Sequence, residues 1–287
     1  MKGALAKAGE IDCDTSPVSL NEQKQDRVST SLREGAVRVP AVTVAFWVTL
    51  ALTGGMAQSG SAYLVQLLVP GVAVVISGIG LLAALVLQVA SSRFMPWTFW
   101  LAVAQVGLFG SVAAHALQVG LGVSPLLCTA LFAVLLAVLF TAWRAADATV
   151  SIHGVCTDRR EAFYWAVVMC TFGLGTAAGD LTSVTLGLGH LESGLIFAAV
   201  VALPAVARRR LGLSAVPAFW LTYLVTCALA AGLADWLATS HARGGLGLGA
   251  GPVWVVLVVL VTGFVAYMSD NPTSEGVADR DPADLVS

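Results

Sequence analysis

Tyr164–Asp180 reads YWAVVMCTFGLGTAAGD, and Phe219–Asp235 reads FWLTYLVTCALAAGLAD. Each opens on an aromatic-Trp pair, carries a threonine six residues after the Trp (Thr171, Thr226), and ends on an aspartate fifteen residues after it. Two earlier stretches share the frame. Phe46-Trp47 is followed by Thr53 and Ala62, and Phe99-Trp100 by Val106 and His115. The four tryptophans, Trp47, Trp100, Trp165 and Trp220, are 53, 65 and 55 residues apart, and the polar linker 144–161 accounts for the longer middle interval. With aromatics at only 8% of the chain, four such pairs at one period mark an internal repeat. Pro40, Pro96 and Pro217 sit just ahead of three pairs, and Pro70, Pro125 and Pro252 fall early in three returning segments. A first helical turn, whose N–H groups lack partners, suits proline. Leu186–Gly189 and Leu246–Gly249 both read LGLG, with a shorter relative in Gly120–Gly122. Each unit thus reads as an outgoing helix, a short Gly-rich loop and a returning helix.

Composition sets the surroundings. Of 287 residues, 57% are hydrophobic and 11% charged, where a soluble domain carries about 25% charged. Mean hydropathy is +0.85. Net charge is −2, with no basic excess to meet phosphates. These values exclude an ordinary soluble domain, a disordered chain and a nucleic-acid binder. Apolar spans fall near 40–60, 68–90, 96–118, 123–143, 162–183, 193–208, 217–238 and 251–268, and a span of roughly 20 residues crosses a bilayer core. The expectation is an all-α integral membrane protein of eight transmembrane helices, arranged as four helical-hairpin repeats of parallel topology. Their bounds are 39–92, 93–146, 147–211 (with a cytoplasmic linker) and 212–269, between disordered cytoplasmic tails at 1–38 and 270–287. The first span, diluted by Gly54, Gly55 and Gln58, and the short sixth are the weakest.

With eight spans, fourteen of the fifteen Lys and Arg fall on one side: those of both tails with Arg93, Arg144, Arg159, Arg160, Arg208, Arg209 and Arg210, leaving Arg243 opposite. The positive-inside rule then puts both termini in the cytoplasm. The N-terminus lacks an apolar core of the kind a cleaved signal needs. Twelve Arg against three Lys, with abundant Ala, Val and Gly, points to a GC-rich bacterial genome. Five cysteines without C-x-x-C suggest neither a disulfide framework nor a zinc ribbon.

The aromatic-Trp openings, the run T-x-x-x-G-T-A-x-G-D (171–180) and the LGLG loops resemble a family of bacterial membrane-anchored proteins built from four tandem two-helix repeats of unknown function, each with a characteristic tryptophan. The resemblance covers about residues 39–268. It implies eight helices and a bacterial inner membrane, and no established activity. The family also leads one to expect an Asp in the first unit and an acidic residue in its outgoing helix. This chain has Ala62 and neutral residues such as Gln58 there.

Fifteen helical residues rise roughly 22 Å, so His115, Asp180 and Asp235 belong at one depth. If the outgoing helices surround one axis, Ala62, His115, Asp180 and Asp235 form a ring. Two carboxylates and an imidazole suit a divalent cation or a proton relay. Asp180 and Asp235 could equally hydrogen-bond loop N–H groups, and His115 could be a packed histidine. Thr171, Thr176 and Thr226 join the candidate path with Gln58, although threonines also bond back to their own helix. Trp47, Trp100, Trp165 and Trp220 read as packing and interface anchors. Gly173, Gly175, Gly179, Ala228 and Gly232 allow close helix approach. His190 and Glu192 flank the third loop as solvated groups, Glu192 placed to cap the next helix, and His241 and Arg243 read as a rim. No catalytic signature occurs, so no enzyme and no cofactor are expected, and a metal is left open. The leading expectation is a transporter or channel for a small solute or cation, using intramembrane Asp and His. The alternative is a non-catalytic scaffold in the lipid bilayer. Oligomeric state is not legible.

Overall fold

The computed structural model describes residues 42–91, 95–146 and 158–270, all within one unit, Val37–Ser287. Both expected tails, most of the 144–161 linker, Arg93, Cys13 and Cys156 lie outside the described residues.

The described residues are helical, with no strand among them. Helix α1 (Val44–Leu67) starts where the Thr43 hydroxyl accepts from the Phe46 N–H at 3.3 Å, a side-chain cap for an otherwise unpartnered donor. Proline opens α2 (Pro70–Ala90), α3 (Pro96–His115) and α4 (Pro125–Ala146). Helix α3 widens into a π turn over Ala116–Gly120, and α5 (Asp158–Asp180) does so over Leu181–Thr185. After α6 (His190–Val200) and α7 (Leu203–Leu211) come α8 (Ala215–Ala238), a short 3₁₀ turn (His241–Arg243) and α9 (Ala250–Asp270).

Helices α1, α3, α5 and α8, the four that carry the aromatic-Trp pairs, form a closed ring in which each packs on the next and α8 returns to α1. The second helices lie outside and are displaced by one unit: α2 packs on α3, α4 on α5, α6 on α8, and α9 on α1. Each unit therefore covers its successor, and the last covers the first.

The outer helices face outward with bare hydrocarbon. Ile79, Leu82, Val134 and Val259 are each more than 60% exposed, while the polar side chains Thr49, Thr53, Gln58, Ser59, Ser61, Ser111 and Thr176 are buried. This inversion fits a hydrocarbon solvent. Among the described residues, seven helices are long and apolar enough to cross a membrane. Helix α1 is not among them, because Thr49, Thr53, Gln58, Ser59 and Ser61 turn into the bundle. The sixth expected span is longer than its apolar run, covering 190–211, and breaks at Val201-Ala202. Pro204 supplies no N–H for the Val200 carbonyl, and its ring presses on it. Cys128, Cys170 and Cys227 are buried as free thiols.

Between lipid-facing helices association rests on close packing and interhelical hydrogen bonds, not on hydrophobic burial. Glycine makes the approach. A Cβ on Gly110 of α3 would run into the Met169 carbonyl of α5, and one on Gly175 of α5 would sit 2.8 Å from Cys227 Cβ of α8. The loops are duplicated in conformation as well as in sequence. Gly187 and Gly189 take φ of 68° and 87°, and Gly247 and Gly249 take 72° and 82°, angles open to glycine with little strain.

Gly110→Val should lower stability by about 1–3 kcal/mol, the usual cost of overpacking, because it meets fixed backbone. Gly263→Val, at a position with nothing within 4 Å of an added Cβ, should leave the thermal midpoint in detergent close to wild type. Equal midpoints for the two variants would contradict this packing.

Candidate functional site

Counted from each Trp, equal offsets on the four ring helices meet at equal heights, so the helices run in the same direction. At the opening, each aromatic touches the Trp of the next unit. Phe46 lies 5.6 Å from Trp100, Phe99 5.8 Å from Trp165, Tyr164 6.0 Å from Trp220, and Phe219 5.6 Å from Trp47. Within each pair the rings are edge-on, 5.0–5.4 Å apart, a favoured geometry for aromatic contacts. The result is an eight-ring collar. Trp100, Trp165 and Trp220 are buried in it, inside the bundle rather than on its perimeter.

Seven residues past the Trp, the units offer Gly54, Gly107, Phe172 and Cys227. A Cβ on Gly107 would stand 2.9 Å from Phe172 Cε1, one on Gly54 3.8 Å from the same atom, and Phe172 meets Tyr223 at 6.1 Å. A side chain of α5 that reaches α1, α3 and α8 lies across the axis. Phe172 closes the bundle there, in space that two glycines leave. One residue earlier, Thr53, Thr171 and Thr226 donate to carbonyls of their own helices, Thr49, Val167 and Thr222, at 2.7–2.8 Å.

Eleven residues past the Trp the helices are joined by polar groups. Thr176 Oγ1 donates to Gln58 Oε1 at 2.8 Å and stands 2.9 Å from Ser111 Oγ. A hydroxyl has one proton, so in that second contact Ser111 donates. Gln58 Nε2 in turn donates to Asp235 Oδ2 at 2.9 Å. Ser111, Thr176, Gln58 and Asp235 thus form one directed chain across all four ring helices.

The acids lie one turn further on. Asp180 Oδ2 accepts from Gln118 Nε2 at 2.9 Å and stands 4.0 Å from His115 Nε2. Asp235 Oδ2 stands 4.0 Å from His190 Nδ1. Two Gln–Asp–His groups result. His115 Nδ1 is 2.9 Å from Ser61 Oγ, which also reaches the Gln58 carbonyl at 2.8 Å. When Ser61 gives its proton to that carbonyl, Nδ1–H donates to Ser61, and Nε2, opposite Asp180, is the nitrogen left to take a proton. The acid and histidine side chains are 13–17% exposed, whereas Gln58, Ser111 and Thr176 are buried. The polar cluster is thus partly exposed at its acidic end and buried on the side towards Phe172.

Chemically, the amide of Gln58 holds Asp235 but does not surrender its proton, so the chain positions rather than conducts. Proton exchange in the cluster belongs to the two carboxylates and two imidazoles. Among the described residues no group of three or more His, Cys, Asp or Glu is placed to hold a metal ion.

The structure brings together His115, Asp180, Asp235, Gln58 and Thr176. Ala62 is only partly buried, and Thr171 and Thr226 are held to their own helices. Sequence reasoning missed Ser111, Ser61, Gln118, His190 and Phe172. Ser111 shares its offset with Gln58 and Thr176, which would have found it. Gln118 sits in the π turn after α3, a widening with no sequence signature. Glu192 lies in the first turn of α6, and His241 and Arg243 in the 3₁₀ turn near the opening.

Fold and site together define a multi-helix membrane-type protein built from repeats. Residues 163–212, the third unit from Phe163 to the end of α7, match a family model described as a Repeat of Unknown Function (DUF347). No curated protein and no solved structure matches the chain.

Phe172→Ala should let a membrane-impermeant thiol reagent reach Cys227 in a chain whose other four cysteines are replaced by alanine. At least tenfold faster labelling than with Phe172 present is expected by mass spectrometry. Equal labelling rates would show that Phe172 closes nothing.

Proposed function

We propose that the protein is a multi-pass membrane transporter or channel for a small cation, the proton included, with its path along the axis of the four-helix ring. The observation that carries this is the polar cluster: groups from all four ring helices converge on one axis, two carboxylates and two imidazoles stand at its more exposed end, and Phe172 and the aromatic collar lie beyond it. Ionisable groups at membrane depth are costly and mark ion pathways and proton relays. A scaffold needs no such convergence.

In this reading all eight helical spans cross the bilayer. The 24 residues of α1 rise roughly 36 Å, enough for the hydrocarbon core, and its polar face is tolerated because it lines the axis. Arg144, Arg159, Arg160, Arg208, Arg209 and Arg210 stand at the collar end, and Arg243 at the other. The positive-inside rule then turns the collar to the cytoplasm of a bacterial cell and the acidic end of the cluster outward. Cations gather at Asp180 and Asp235, and His115 and His190 take or release protons as charge enters or leaves. Phe172 must move aside for passage. No chemistry is performed on the cargo, and no cofactor is involved.

The test is flux in proteoliposomes. Proton uptake driven by a potassium diffusion potential is followed with an internal pH dye, and sodium and rubidium uptake by isotope. Asp235→Asn and Asp180→Asn should each lower the flux of the transported ion at least tenfold without loss of folded protein. Variant fluxes equal to a wild-type flux above that of empty liposomes would remove Asp180 and Asp235 from the path, and a wild-type flux no greater than that of empty liposomes would count against transport and favour the scaffold reading.

A further inference from the structure

The fourfold pattern is broken beyond Phe172. Just before the Trp, three units carry Phe46, Phe99 and Phe219, and the third carries Tyr164. Three residues after it, three units carry Leu50, Val103 and Val168, and the fourth carries Tyr223. Both departures add a hydroxyl where the repeat uses hydrocarbon, and both fall in one quadrant. Trp220 lies 6.0 Å from Tyr164, 5.9 Å from Tyr223 and 6.3 Å from Trp143, which α4 contributes.

All four side chains are at least 94% buried, and Trp143 Nε1, Tyr164 OH, Trp220 Nε1 and Tyr223 OH are without a hydrogen-bond partner. A buried polar group left unpaired costs about 1–3 kcal/mol. Three such groups around the equally unpaired Trp220 indole, two of them at seats where the other units have Phe, Leu or Val, call for a guest. Indole N–H groups only donate, and phenols donate or accept, so the guest must accept hydrogen bonds. The two indole donors disfavour a cation, and four uncharged side chains favour a neutral guest. A small neutral oxygen acceptor fits both conditions.

We propose that Trp143, Tyr164, Trp220 and Tyr223 form a second binding station, within the collar, that holds water and carries protons past the aromatic closure. Buried water supplies about three hydrogen bonds to groups that lack them. Each phenol takes a proton on its oxygen lone pair as it gives up its own, so a Tyr223–water–Tyr164 chain moves charge without moving a side chain. This makes the proton the cargo, and that part rests on the transport reading above. The station itself does not.

Two measurements on the full chain separate the two parts. Ultraviolet resonance Raman difference spectra between wild type and Trp220→Phe report whether the lost indole N–H was hydrogen-bonded. A hydrogen-bonded band is expected, and a free N–H band would overturn the proposal. In the same liposomes, Tyr223→Phe and Tyr164→Phe should lower proton uptake at least tenfold while their thermal midpoints fall, since each loses a satisfied hydroxyl. Unchanged uptake, or midpoints that rise because an unpaired hydroxyl has been removed, would overturn it. If wild-type flux does not exceed that of empty liposomes while the bonded N–H band is seen, the transport reading fails and the hydrated station stands.

Discussion

No repeat in this protein can bury its own first helix. The cover comes from the preceding unit: α2 on α3, α4 on α5, α6 on α8, and α9 back onto α1. In lipid, where apolar surface gains little from contact with other apolar surface, that displaced cover and the glycine-lined contacts of the ring settle the arrangement. The remaining structure follows from it. Once four parallel helices are held around one axis, equal offsets from the Trp come to equal heights, and a polar residue recurring in sequence becomes a layer in space.

Much of this was legible in the residues because the units keep their register. The aromatic-Trp pairs predicted the outgoing helices, the prolines their returning partners, and the offset of Asp180 and Asp235 their common depth. The collar was harder. An aromatic at the end of an apolar span reads first as an interface anchor, and only contacts between units show Phe46 on Trp100 and Phe219 on Trp47. Gln118 and His190 could not be read. The first reaches Asp180 because α3 widens by a π turn, and the second meets Asp235 because α6 packs on α8. The broken sixth span was readable from Pro204, which was passed over in favour of the apolar run around it.

The departures from fourfold identity are as informative as the repeats. Phe172 stands where two other units have glycine, and it fills the axis because they do. Asp180 and Asp235 stand in two units, His115 in a third, and Ala62 in the first, which contributes Gln58 four residues earlier. Tyr164 and Tyr223 depart in the same two units that carry the acids. A duplicated scaffold can specialise only by such asymmetry, and here the acids and the tyrosines fall in the same two units, the third and the fourth.

The closure of α9 onto α1 also sets a schedule for biosynthesis. Helix α1 emerges first, carrying Gln58, Ser59 and Ser61 on a helix too polar to rest comfortably in lipid alone. Its neighbours α8 and α9 are made about two hundred residues later. Ser61 can meet His115 once α3 is made and Gln58 can meet Thr176 once α5 is made, but the Gln58 amide has no Asp235 until α8 follows. The ring can therefore grow helix by helix, but the polar face of α1 is covered in full only when the last unit closes on the first.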